Sequence, residues 1–129
     1  MLSLMRDEFD RFLATDDGQP FVMLNLLRFK PDDGRAKFAD YTAAIGPLLA
    51  RYGVELVYVG EGLPALLAED GQAWDSVALL RYPSRTAFAR LSDDPDYRDW
   101  IGPLREASLS EPVMQPLRTG GGPGPAQGR

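Results

Sequence analysis

The sequence predicts an α+β fold: a ferredoxin-like βαββαβ sandwich with an extra N-terminal helix. The main observation is an internal repeat. Residues 26–29 (LLRF) are echoed by residues 79–82 (LLRY), and residues 41–48 by residues 97–104, both with the pattern Tyr-x3-Ile-Gly-Pro-Leu. Each copy reads as a strand followed by a helix, so the chain holds two matching supersecondary units. Two split units of this kind form the ferredoxin-like sandwich, whose first and third strands are central neighbours.

Four segments have the pattern of strands. Residues 21–29 (FVMLNLLRF) are apolar on both parities, which predicts a strand buried on both faces. Residues 54–59 (VELVYV) and 76–82 (SVALLRY) are the second and third strands. Residues 112–117 (PVMQPL) form a short last strand at an edge of the sheet, where proline is tolerated.

A leading helix is predicted within residues 1–17, packed on the body as a lid over the end of the core and stopped by Asp16-Asp17-Gly18. Apolar residues recur at helical spacing over residues 35–52, which predicts the helix of the first unit.

In the second unit, Ser84 is the predicted N-cap of a helix, and a last helix runs from about residue 96 to residue 109. Pro47 and Pro103 each lie inside a helical pattern, so we expect a kink or a break at both positions.

The predicted sheet has one face that the helices cannot cover. The first strand is apolar on both sides, so either its odd-numbered or its even-numbered residues would form an exposed apolar patch in a monomer. The simplest closure is a homodimer in which two sheets face each other. Residues 1–117 are expected to form this one domain, and the Gly/Pro-rich tail 118–129 is expected to be disordered.

Composition excludes several kinds of chemistry. The chain has no cysteine and no histidine, which excludes disulfides, Cys/His zinc sites, Ser-His-Asp triads and His-ligated haem, and we predict no cofactor and no metal. The net charge is −5 and no basic stripe is present, so nucleic acid is not an expected partner. No apolar run approaches the roughly 18 residues of a membrane span, and charged residues interrupt the N-terminus where a signal peptide would need an apolar run. A cytoplasmic protein is expected.

Several short motifs occur in the order of a known family: residues 41–53 (Tyr-x5-Pro-x4-Tyr-Gly), Trp74-Asp75, residues 77–84, Asp94-Pro95-Asp96-Tyr97 and Arg105. Over about residues 20–117 the chain resembles the "domain of unknown function 1330" family of the dimeric α/β barrel group. The resemblance implies an antiparallel-sheet dimer with a pocket between sheet and helices, and it brings no established reaction. The wider group includes cofactor-free monooxygenases, small-molecule isomerases, haem-degrading enzymes and dechlorinating enzymes. The lack of histidine departs from its haem-binding members.

Asn25 is the sharpest anomaly among the candidate ligand-binding residues. A mid-strand Asn in an apolar run is costly unless its amide is hydrogen-bonded. It either orients a substrate carbonyl or stabilises an oxyanion, or it satisfies a bulge or a neighbouring side chain. Arg28 and Arg81 occupy equivalent places in the two central strands and could bind a carboxylate, or could pair with acids at the strand ends. Asn25 and Arg28 differ in parity, so they are expected on opposite faces.

Four aromatic residues with a polar tip complete the set of candidates: Tyr41, Tyr58, Trp74 and Tyr97. They could line a pocket for a planar ligand, or they could be ordinary amphipathic core residues. Two functions stay open. One is a cofactor-independent enzyme, monooxygenase- or isomerase-like, acting on a small aromatic or carboxylate metabolite; the other is a non-catalytic ligand-binding or dimerisation module.

Overall fold

The structure, a computed structural model, describes residues 5–118. Its helices and strands follow the predicted order. They are α1 (Arg6–Ala14), β1 (Phe21–Phe29), α2 (Gly34–Arg51), β2 (Glu55–Glu61), β3 (Ser76–Tyr82), α3 (Arg85–Asp93), a π-helical turn (Tyr97–Ile101), α4 (Gly102–Ser108) and β4 (Leu109–Arg118). The bounds of β1 and β3 are those expected from the sequence, whereas β4 begins three residues before the predicted strand. Of the predicted tail 118–129, Arg118 is instead the last residue of β4, where it pairs with Phe21, and residues 119–129 lie outside the described residues.

The four strands form one antiparallel sheet in the order β2-β3-β1-β4. This is the strand order of the ferredoxin-like sandwich, and it confirms that the two strands matched by the repeat are central neighbours. Asn25 lies at the middle of the sheet, opposite Ala78 of β3 and Met114 of β4.

The two faces of the sheet differ in what covers them. Along β1 burial alternates, with buried residues at positions 21, 23, 25 and 27 and partly exposed residues at positions 22, 24, 26 and 28. We call the first side the covered face, because α1, α2, α3 and α4 pack over it, and the second side the open face. Asn25 is on the covered face and Arg28 on the open face, so the expected difference in parity is confirmed.

The core lies between the covered face and the helices, and aromatic rings dominate one end of it. Phe88 of α3 contacts four other rings, with centroid distances of 5.3 Å to Tyr82, 6.0 Å to Phe9, 6.2 Å to Phe12 and 6.4 Å to Phe21. Two of these rings belong to α1, which therefore packs on the body as the sequence predicts.

Arginine also fastens α1 to α3. Arg85 Nη1 donates to the backbone oxygen of Phe12 at 2.7 Å and to Thr15 Oγ1 at 3.2 Å. Such contacts satisfy carbonyl groups near the end of a helix, where no intrahelical donor is available.

The two prolines inside helices are accommodated differently. The helix α2 continues through Pro47, so the break allowed for at that position does not occur. Pro103 instead follows a π-helical turn, in which the amide of Gly102 donates to the oxygen of Tyr97. The predicted cap of α3 is confirmed, because Ser84 Oγ accepts from the amide of Ala87 at 3.0 Å.

The segment between β2 and β3 carries fully exposed apolar side chains. Leu63, Leu66 and Leu67 are each at least 84% exposed. Within residues 5–118, none of the helices has both the length and the apolar character that crossing a bilayer requires.

Candidate functional site

A groove of about 1900 Å³ opens between the covered face of the sheet and the helices. Its floor includes side chains of all four strands, and its walls are formed by α1, α2 and the helical region 97–108. The lining is mostly apolar, which is typical of pockets that bury small organic molecules. Three of the predicted residues line it: Asn25, Tyr41 and Tyr97.

Asn25 is the polar group in the floor of the groove. Its side chain is only 6% exposed, and its Nδ2 donates one long hydrogen bond, of 3.3 Å, to the backbone oxygen of Met23. No side chain or backbone donor of residues 5–118 reaches its Oδ1. An amide with spare hydrogen-bonding capacity in an apolar wall can orient a polar group of a ligand.

Tyrosine hydroxyls form a second polar group in the groove. Tyr41 comes from α2, Tyr97 from the π-helical turn and Tyr82 from the end of β3. Burial raises the pKa of each of these phenols above its usual value. All three are therefore neutral at physiological pH and offer O–H donors inside the groove.

The π-helical turn fixes the position of Tyr97. A side chain on Gly102 would approach the backbone oxygen of Tyr97 to 2.9 Å and its ring to 3.1 Å, so the ring lies directly over a residue that must be glycine. π-Helical turns inside α-helices occur frequently at functional sites. The sequence signal for this feature was the Ile-Gly-Pro repeat, which predicts an irregularity and not its form.

Tyr82 and Arg105 line the groove but were not among the candidates from the sequence, and Arg105 brings a charge into it. Arg105 lies on α4. Burial and the nearby Tyr97 raise the pKa of Tyr41, and the positive charge of Arg105 partly offsets that rise. Its Nη2 is buried and has no hydrogen-bond partner within the described residues. A signal was present in the repeat: when Tyr97 is aligned with Tyr41, Arg105 takes the position of Leu49, so a charge replaces an apolar residue.

Arg28 and Trp74, in contrast, lie on the open face and are satisfied by each other and by the backbone. The Arg28 guanidinium stacks over the Trp74 ring at 4.3 Å, donates to the oxygens of Gly71 (3.0 Å) and Ala73 (2.6 Å), and pairs with Glu111. These contacts fasten the segment before β3 to the sheet. The charge of Arg28 is already paired with Glu111, and three of its five N–H donors are used within the protein.

Arg81 and Tyr58 also lie away from the groove. Arg81 is opposite Val22 on the open face and 3.7 Å from Glu55. Tyr58 is 57% exposed and opposite Leu79, also on the open face. The structure thus separates the seven candidates into three that share the groove and four on the other side of the sheet.

Asp94 holds the segment that presents Tyr97. Its carboxylate accepts hydrogen bonds from the Tyr52 hydroxyl at 2.6 Å, from Arg51 Nη1 at 2.9 Å and from the amide of Asp96 at 2.9 Å. The hydrogen bond from Tyr52 is the main cause that lowers the pKa of Asp94. The end of α2 is thereby tied to the start of the π-helical turn.

The substitution Asp94→Asn should lower the free energy of unfolding at neutral pH. In acid the variant and the unaltered protein should be equally stable. Folding lowers the pKa of Asp94, so the ionised carboxylate stabilises the folded state. This stabilisation is fully present above the unfolded-state pKa of about 3.9 and disappears as the pH falls through the folded-state pKa. Urea unfolding at about pH 7 and at a series of lower pH values, down to about pH 2, measures how this difference disappears. The control Asp99→Asn removes an exposed carboxylate nearby and should behave like the unaltered protein. A difference between Asp94→Asn and the unaltered protein that does not change with pH would contradict this account.

No protein-family model matches the chain, and no curated protein matches it. Solved structures do. The RPA0582 protein of unknown function from Rhodopseudomonas palustris is 30% identical with a TM-score of 0.82, over 89% of this chain and 93% of that chain. A structure of methylated RPA0582 gives 28% identity and a TM-score of 0.83, over 92% of this chain and 93% of that chain.

More distant structures share the fold. A dimeric ferredoxin-like protein of unknown function from Jannaschia sp. CCS1 matches with a TM-score of 0.60 at 13% identity, over 77% of this chain and 98% of that chain. A dimeric protein of unknown function with a ferredoxin-like fold from Bacteroides fragilis NCTC 9343 matches with a TM-score of 0.56 at 11% identity, over 77% of this chain and 95% of that chain. These similarities confirm the ferredoxin-like α+β fold predicted from the sequence.

Proposed function

The chain belongs to the family of the Rhodopseudomonas palustris protein RPA0582, and on that premise we propose that it is a homodimer that binds a small molecule in the groove of each protomer. The observation that carries the proposal is the groove itself. It is lined by apolar side chains, yet it contains the Asn25 amide and three neutral tyrosine hydroxyls. Polar groups that face an apolar groove can fix the orientation of a small molecule that fills it.

The open face supports the homodimer. It carries Val22, Leu24 and Leu26 of β1 and Leu79 of β3, which all remain partly exposed, and the edge residues Tyr58 and Leu117 are more exposed still. An apolar sheet face of this kind is stabilised when a second sheet covers it. The fold neighbours from Jannaschia and Bacteroides are themselves described as dimeric.

The resemblance to the "domain of unknown function 1330" family and the dimeric α/β barrel group belongs to the same proposal. Three of the motifs on which it rests are Trp74-Asp75, Asp94-Pro95-Asp96-Tyr97 and Arg105. Two of the three have a place in the groove region, since Asp94 fixes the π-helical turn and both Tyr97 and Arg105 line the groove.

A cofactor-independent enzyme acting on a small aromatic or carboxylate metabolite is the second candidate. The observation that favours it is the Tyr41 phenol beside the Arg105 guanidinium, because a protonated phenol near a fixed cation can supply a proton to a bound substrate. A non-catalytic binding module needs the same groove without this proton transfer.

Native mass spectrometry of gently purified protein tests the proposal. We expect a dimer with extra mass that is released on denaturation and is absent from Asn25→Leu. A monomer would refute the homodimer, and a dimer of bare chain mass would count against a retained ligand. If the released compound changes in mass or in chromatographic retention during incubation with the protein in air, the enzyme is favoured. If neither changes, the binding module is favoured.

A further inference from the structure

Arg105 differs from the other partly buried arginines in what faces it. Arg28 pairs with Glu111, Arg81 lies 3.7 Å from Glu55, and Arg85 lies 3.8 Å from Asp16. Within residues 5–118, no acidic residue lies within 4.0 Å of the Arg105 guanidinium. Its buried Nη2 has no hydrogen-bond partner among these residues. An unpaired guanidinium group that has lost its water is costly, so the folded protein gains if an anion completes it.

The groups that face Arg105 include the Tyr41 hydroxyl, a hydrogen-bonding neighbour that carries no counter-charge. Glu106 also lines the groove but forms no ion pair with Arg105 within 4.0 Å. The phenols near Arg105 are Tyr41, Tyr82 and Tyr97, whose raised pKa values keep them neutral. Their hydroxyl groups donate hydrogen bonds, as the guanidinium does, and thus add to a site for an acceptor. The rest of the wall is apolar, with Ile45, Leu49 and Leu80 among its residues.

We infer that Arg105 binds the carboxylate of a small carboxylic acid whose apolar body lies along the groove. A guanidinium group matches a carboxylate with two parallel hydrogen bonds. A phosphate group is a poorer match, because phosphate sites usually combine several cations or a glycine-rich helix start, neither of which surrounds Arg105. This inference rests on the proposed function, since it names the ligand class of the same groove.

Matched probes test the assignment. 2-Naphthoate and 2-naphthamide have the same apolar body and differ in charge, and inorganic phosphate supplies the competing anion. The methyl group of Met23 reports binding, because Met23 is buried in the floor of the groove. Protein labelled with ¹³C at its methionine methyl groups would be titrated with each probe, and the shift of this signal gives the Kd.

We expect 2-naphthoate to bind about 10- to 100-fold more tightly than 2-naphthamide, because only the carboxylate forms a charge-assisted bidentate pair with Arg105. In Arg105→Met this preference should disappear while the amide still binds, and Arg105→Lys should restore part of it. The control Arg98→Met removes an exposed arginine of the same helical region and should keep the preference. Without ligand, Arg105→Met should melt at the same or a higher temperature, because it removes an unpaired buried charge.

Three results would overturn the inference. If naphthoate and naphthamide shift Met23 equally in the unaltered protein, the groove is a binding site but Arg105 does not select anions. If phosphate binds as tightly as naphthoate, the ligand class is wrong. If Arg105→Met melts well below the unaltered protein, the arginine has a structural role. Failure of every probe to shift Met23 would instead refute the proposed function together with this inference.

Discussion

Replacing Leu24 by Asp should convert the dimer into a monomer that keeps its secondary structure. Leu24 lies at the centre of the open face, opposite Leu79 of β3 and Gln115 of β4. In the proposed homodimer it is covered by a second sheet, and a carboxylate buried there without a partner costs several kcal/mol. We expect the Kd of the dimer to rise by about 100-fold or more. In the monomer the new carboxylate is on the solvent side of the sheet, so the fold itself has no reason to fail.

Sedimentation velocity over a range of protein concentrations measures this change, and far-ultraviolet circular dichroism checks the fold. The matched control is Ala43→Asp, which adds the same charge at an exposed position of α2, on the other side of the sheet. It should remain dimeric. If Leu24→Asp stays dimeric as well, the open face is not the interface.

The second large effect is expected at Phe88. Phe88→Ala should lower the free energy of unfolding by about 3 to 5 kcal/mol, the range for removing a buried aromatic side chain. Phe88 is 5% exposed and contacts rings from α1, β1 and β3, so its loss leaves a cavity where three elements meet. A domain of this size is typically stable by about 5 to 15 kcal/mol, so the loss is a large part of the total.

Equilibrium unfolding in urea measures the change, and hydrogen exchange locates it. Because Phe9 and Phe12 pack on Phe88, the amides of α1 should lose protection before those of β1 and β3. Thr86→Ala, on the exposed side of the same helix, should change the stability by no more than about 0.5 kcal/mol. A loss below about 1 kcal/mol for Phe88→Ala would place the stabilising core elsewhere.

The repeat explains why so much of the fold was predictable. Residues 26–29 and 79–82 mark the two central strands, and a strand pair with two following helices leaves few ways to complete a four-stranded sheet. The edge strand β4 was predicted too short because its first residues, Leu109, Ser110 and Glu111, have little strand character. Their pairing with the end of β1 holds them in the sheet, and a single sequence does not reveal such pairing.

The site was less predictable, for two physical reasons. β1 is apolar on both parities, so the sequence separates Asn25 from Arg28 without saying which of them faces the helices. Arg105 was overlooked because an arginine on a helix usually faces solvent, and only the packing of α4 against α2 turns it toward Tyr41. Arg28 and Trp74 were chosen as candidates because an arginine and a tryptophan are common in binding sites. Here they hold the loop before β3 on the sheet, and that structural role uses the same residue types.

The π-helical turn has a consequence for how members of this family should be compared. Such a turn accommodates one residue more than an α-helical turn over nearly the same length of helix. Deleting one residue between Asp94 and Gly102 would restore a regular helix without displacing β3 or β4, but Tyr97 would no longer lie over Gly102. Two homologous chains could then share the whole sheet and differ in the groove through a single-residue deletion, so the length of this segment distinguishes relatives with the same site from relatives with only the same fold.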